Sequence, residues 1–150
     1  MNQVLLEHLV MRVDADGLLV LTTRLAPLPP MADPVQVAFD AYPGAFTHST
    51  SWRWVPEGVI LTFAHVLPDA GVDTADARDA QPVSRFTAVD LERLAVCCHA
   101  VRHLHFVVRT DAAIATIAGY DRFWAFAAEV ADHHYPAVAG LLPDAPEYQI

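Results

Sequence analysis

The stretch 86–109, FTAVDLERLAVCCHAVRHLHFVVR, constrains the fold more than any other part of this chain. Thr87 can cap a helix by accepting from first-turn amides, Asp90 favours the positive end of its dipole, and Phe86 with Leu91 can form a hydrophobic staple. At about 100° per residue, Leu91, Leu94, Ala95, Cys98, Val101, His105 and Val108 share one broad face. Glu92, Val96, His99, His103 and Phe106 occupy the opposite flank, which leaves only a narrow polar strip. A helix this apolar must be covered on more than one side, so it is expected at the centre of the core, with Leu94, Cys98 and Val101 buried against a sheet.

That sheet is expected from two hairpins upstream. Residues 4–13 and 18–25 alternate as strands around Asp14-Ala15-Asp16-Gly17, a turn that sets Asp14 opposite Leu18, Arg12 opposite Val20 and His8 opposite Arg24. Leu5, Leu9, Met11, Val13, Leu19, Leu21 and Leu25 then form the core face. His8, Arg12 and Arg24 cluster on the reverse face, where they could hold an anion or pair with acids. The second hairpin, 45–67, turns at Pro56-Glu57-Gly58 with Val55 opposite Val59. Strict alternation places Phe46, His48, Thr50, Trp52 and Trp54 with Ile60, Thr62, Ala64 and Val66 on the face toward the helix. Leu61 and Phe63 fall on the reverse face, to be covered, if at all, by a second subunit.

The remaining segments read as connectors and shorter helices. Prolines 27, 29 and 30 impose an extended connector, and Asp33-Pro34 starts a two-turn helix that Pro43-Gly44 stops. Residues 68–82 carry Asp69, Asp73, Asp76 and Asp79 without apolar periodicity, the pattern of a solvated loop but not of a calcium loop. Asp111 can cap a helix over 112–118, and Asp121 another over 122–134, with residues 137–142 adding a turn before an extended tail. The fold class is therefore α+β: an antiparallel sheet of about four strands followed by C-terminal helices on one face. A single domain is expected over 1–150, mainly β in 1–67, an acidic loop in 68–85 and mainly α in 86–142.

Composition narrows the partners. The net charge is −9 and all nine basic residues are arginine, as expected of a GC-rich bacterial genome. No basic stripe is present for nucleic acid, and the lack of lysine excludes a Walker-type phosphate loop and Schiff-base chemistry. No run suits a membrane span or a secretory leader, and two adjacent cysteines in one helix fit a reducing cytoplasm as small core residues. Hydrophobic residues reach 54% against 18% charged, an apolar excess that points to a homo-oligomer. The hairpin DADGLLVL also opens nucleotide hydrolases of the Nudix type, but the glycine-and-glutamate helix of that family is absent, and no family is assigned.

Histidine supplies the candidate chemistry. His99 and His103 lie four apart on one helix face, and Glu129 and His133 repeat the spacing on the last helix. If those helices pack together, the four side chains could converge on one divalent metal ion. The site departs from the HExxH pattern, since Arg102 stands beside His103. Glu92 is about 10 Å from His99 along the axis and cannot share its coordination. A Ser49–His65–Asp69 arrangement can be drawn across the second hairpin, without a nucleophile elbow. Two functions of different class follow: a non-catalytic binding or assembly module forming a homo-oligomer, or a metal-dependent enzyme. No small-molecule ligand is specified by the residues.

Overall fold

The computed structural model describes residues 3–17, 19–70, 81–82 and 91–133. The chain is α+β, as the hairpin and helix patterns require. Strands β1 (Gln3–Val13) and β2 (Leu19–Pro27) precede helix α1 (Pro34–Ala41), and β3 (Phe46–Val55) and β4 (Gly58–Val66) follow. A two-residue strand β5 (Gln81–Pro82) then leads to helices α2 (Leu91–Thr110), α3 (Ala112–Ala115) and α4 (Asp121–His133). The sheet order is β3-β4-β1-β2-β5.

The first hairpin has the expected register. Arg12 pairs with Val20 and His8 with Arg24. Gly17 takes a positive φ and donates to the Asp14 carbonyl, while the Asp14 carboxylate accepts from the Asp16 amide. Leu18, the expected partner of Asp14, lies outside the described residues. What the hairpins did not reveal is how they join: β1 runs parallel to β4, with Leu6 beside Leu61 and Leu9 beside Ala64. Strands β2 and β3 consequently run the same way, separated by β1 and β4, and α1 links them across one face. Both central strands are thus covered on both sides, which suits the near-continuous apolar runs of β1 and β4.

The larger core lies between the sheet and the C-terminal helices. Leu9, Met11, Val13, Leu19, Leu21, Ala64 and Val66 meet Cys97, Ala100, Val101 and Leu104 of α2 and Phe123 and Ala127 of α4. Val101 is buried against the sheet as expected, whereas Cys98 is buried outside that cluster and Leu94 is only half-buried. The contact stripe of α2 is rotated about a turn's quarter toward Cys97, Ala100 and Leu104, where small side chains let the helix approach Ala64. The start signals at 86–90 lie outside the described residues, as do residues 71–80 of the acidic loop and the tail from 134. Asp33 and Asp111 cap α1 and α3 as their positions predict. Helix α3 ends at Ala115, short of Gly119. For α4 the cap comes from afar: the Asp69 carboxylate accepts from the Arg122 amide, and Asp121 is instead the first helical residue.

The second hairpin corrects two expectations. Its turn is the dipeptide Pro56-Glu57, with Val55 opposite Gly58. Gly58 has φ +150°, and a Cβ there would overlap the backbone of Gln3, so glycine is required where β1 enters the sheet. More consequentially, a bulge at Thr50 separates the pairs Ser49–Phe63 and Ser51–Thr62. The extra residue reverses the facing of everything beyond it. Ile60, Thr62, Ala64 and Val66 face the C-terminal helices with Phe46 and His48, but Trp52 and Trp54 are turned to the opposite face. That opposite face is covered within the chain: α1 packs Ala38 and Val37 onto Leu6, Leu61 and Phe63.

Candidate functional site

Three groupings of chemically active side chains emerge. The deepest lies under α1. Thr47 Oγ1 is 2.8 Å from His65 Nδ1, and His65 Nε2 is 2.8 Å from His8 Nδ1. His8 and His65 are 2% and 0% exposed. Parallel pairing of β1 with β4 and antiparallel pairing of β3 with β4 bring the three side chains to one face. Burial, then the positive potential of His8 and Arg24, lowers the His65 pKa to about 3. A base that weak cannot activate the Thr47 hydroxyl near neutral pH, where useful general bases titrate much closer to the working pH. The Thr47–His65–His8 chain is therefore a satisfied polar core and not a nucleophile with its base. Ser49 faces Phe63 and Asp69 caps α4, so the Ser49–His65–Asp69 arrangement does not form.

The second grouping is a row of imidazoles between β3 and α2. The His99 and His103 rings lie 6.4 Å apart and nearly parallel, confirming a shared helix face, and His48 of β3 comes within 5.4 Å of His103. His99 Nε2 donates to the carbonyl of Thr50 at 3.1 Å, tying the helix to the bulge, and His48 Nδ1 donates to the Ser49 carbonyl. Burial, followed by His48 and His99, lowers the pKa of His103. Helices α2 and α4 pack together, but Glu129 is exposed on α4 and the side chain of His133 lies outside the described residues. Among the described residues no group of three or more His, Cys, Asp or Glu is placed to hold a metal ion.

The third grouping explains the reversal of the tryptophans. Glu7 sits on the core face of β1 between Leu5 and Leu9, where an unpaired carboxylate would be costly. Arg53 meets it in a two-pronged ion pair, Nη1 to Oε1 at 2.9 Å and Nη2 to Oε2 at 3.0 Å. Thr62 donates its hydroxyl to Oε1 at 2.8 Å, and Arg53 Nε reaches Glu92 at 3.1 Å. These bonds raise the Arg53 pKa, the Glu7 hydrogen bond most of all. With Arg53 turned inward, its neighbours must turn outward. Trp52 and Trp54 are 57% and 72% exposed and meet edge to face at 5.8 Å.

Strand β3 is also an edge of the sheet, and the two edges differ. At the other edge, β2 carries Arg24 and Pro27 and is partly covered by β5. Strand β3, FTHSTSWRWV, has no proline, no lysine and no acid, and its one charge is engaged by Glu7 and Glu92. Charges, proline and short length are the usual means of blunting an edge. Among the described residues, only the Thr50 bulge serves that purpose here. Sequence reading missed this surface because alternation was extended through Thr50; the available signal was Glu7, an acid in an apolar row that called for a cation across the sheet.

No helix among the described residues is long and apolar enough to cross a membrane. No protein-family model matches the chain, and no curated protein matches it significantly.

Proposed function

We propose that this chain is a non-catalytic assembly module that pairs with a second copy of itself through the free edge of β3. The observation that carries this reading is the coincidence, on one ten-residue edge strand, of a backbone blunted only by the Thr50 bulge and two exposed tryptophans. Copies carrying a net charge of −9 repel one another over most of their surface. The acid-free seam of β3 is where two copies can approach, and an antiparallel strand edge complements itself about a two-fold axis. Covering the sheet on both faces accounts for much of the apolar excess in the composition, but not for Trp52 and Trp54. Their exposed area is roughly 320 Å² per protomer, about 40% of one partner's share of a standard interface. Backbone pairing along β3 and the exposed Val35 and Phe39 of α1 supply further area.

Sedimentation or light scattering over a concentration series tests this directly. The expected result is about twice the 16.4 kDa chain mass at micromolar concentration, reverting to the chain mass in folded Trp52→Glu and Trp54→Glu variants. A wild-type chain that stays at 16.4 kDa overturns the reading.

A metal-dependent enzyme built on His99, His103, Glu129 and His133 is the second reading, supported only by the parallel stacking of the His99 and His103 rings. Metal analysis of untagged protein tests it: stoichiometric zinc, iron or manganese supports a metal site, and its absence after purification in those metals removes the support.

A further inference from the structure

Helix α1 rests on a polar group that has no room for a charge. Tyr42, which ends the helix, lies with its ring 4.4 Å from that of His65 and 5.7 Å from that of His8. The Arg24 guanidinium stands over the Tyr42 ring at 5.4 Å. Both ring nitrogens of His65 are engaged, one by Thr47 and one by His8, an arrangement that a neutral imidazole fills with one donor and one acceptor. Among the described residues, the polar groups facing it are His8 from β1, Arg24 from β2, Thr47 from β3 and Tyr42 from α1; Arg12 follows farther along the same face of β1. The acids of α1 do not help: Asp33 caps the helix, and Asp40 is exposed and accepts from Gln36. A proton on His65 would be a buried cation in the positive field of the Arg24 guanidinium, which stands at the protein surface over Tyr42.

The least costly relief is to lift α1. Its underside is Val37, Ala38, Ala41 and Tyr42, set against Leu6, Phe63, Val10 and Leu67, a small contact compared with the core beneath α2 and α4. Prolines before the helix and Pro43-Gly44 after it bound the segment that would move. Opening a small, separately packed element costs less than unfolding the sheet.

We propose that α1 is an acid-labile cap: protonation of His65 lifts α1 and Tyr42 from the sheet and uncovers Leu6, Leu61 and Phe63 beside Trp52. Leu61 is the cross-strand partner of Trp52, so the uncovered surface adjoins the β3 edge. The consequence for assembly rests on the β3-edge reading; the opening of α1 does not. Its pH range follows from linkage. In the open state His65 regains a pKa near 6.5, whereas in the closed state burial holds it at about 3. The open state therefore binds more protons between these values, and each unit of acidification below about 6.5 raises the open-to-closed ratio by about tenfold.

Hydrogen exchange of the full chain at pH 7.5 and pH 5.5, corrected for intrinsic rates, tests the cap; the lower pH still lies above the isoelectric point of about 5.1. Amides of α1 should lose about tenfold in protection while those of β1 and β4 keep theirs. A His65→Gln variant, which retains a donor and an acceptor but does not titrate, should show no such pH effect. Unchanged protection of α1, equal losses in β1 and β4, or a wild-type response in His65→Gln would each overturn the proposal. Should that variant not fold, nuclear magnetic resonance of wild-type His65 decides: opening of α1 without proton uptake by that ring refutes it. Light scattering at both pH values judges the other reading separately. Tighter association at pH 5.5 supports the link to assembly, and a monomer throughout refutes that link while leaving the exchange result to judge the cap.

Discussion

Replacing Arg53 by methionine removes the side chain on which the facing of β3 depends. Glu7 would keep only the Thr62 hydroxyl bond of its three hydrogen bonds, in a position where its side chain is 14% exposed. Breaking a buried ion pair by deleting one partner costs about 3–5 kcal/mol, because the other charge is left in a poor solvent. The Arg53 side chain is 24% exposed, so screening places the expected loss near the bottom of that range, about 3 kcal/mol. The outer bond to Glu92, on an open surface, adds little. Glu7→Leu combined with Arg53→Met should recover most of the loss, since an apolar pair suits a face already formed by Leu9 and Met11. Urea unfolding followed by tryptophan fluorescence measures all four corners of this cycle, and the slope must stay constant for the comparison to hold. A coupling energy of about 2 kcal/mol is expected from these bonds. A coupling below about 0.5 kcal/mol, the level of an exposed pair, would show that Glu7 does not hold Arg53 inward. The account of why the tryptophans face outward would then fail with it.

Other outcomes follow from burial. Leu104→Ala should cost about 2–5 kcal/mol by urea unfolding and half-buried Leu94→Ala distinctly less, so a larger loss at Leu94 would mean that α2 faces the other way. Phe63→Glu places a carboxylate beneath α1 and should unfold the chain by circular dichroism; a folded Phe63→Glu monomer would show that face to be open to a partner. Burial pushes the Cys98 thiol up to about 12 and raises Cys97 well above its ordinary value, so a disulfide thiol reagent at pH 8 should find neither in the native chain and both in urea. Rapid labelling without denaturant would contradict the packing of α2.

How much was legible in the sequence depended on how locally each feature is determined. The register of the first hairpin was readable because the turn, Gly17 included, sets it, and the register sets which side chains share a face; how far the core extends along that face was not, since Leu25, expected in the core, is 53% exposed. Helix α1 was readable for a similar reason: Asp33, Pro34 and the Pro43-Gly44 stop are all local signals. The parallel pairing of β1 with β4 was not, because it joins segments more than fifty residues apart with no turn between them to dictate a register. Helix α2 lay between these cases. Its nearly uniform apolar surface identified it as central, yet that same uniformity left its rotation undetermined, and the choice fell to Cys97 and Ala100 because small residues permit close approach.

The candidate surface shows where alternation stops being a safe guide. Had β3 been regular from Phe46 to Val55, both tryptophans would have entered the core with His48, and Arg53 would have pointed away from Glu7. One extra residue at Thr50 exchanges those outcomes. The carbonyl it frees does not go unsatisfied, since His99 donates to it from α2. The bulge thus serves two requirements at once: a cation must reach Glu7 inside, and a donor on the helix must answer the backbone group left over at the kink. Neither requirement is visible within β3 itself; each belongs to a residue on another element. Exposure of Trp52 and Trp54 is then a consequence of satisfying the polar core; the proposed pairing through β3 uses the two side chains that this leaves outside.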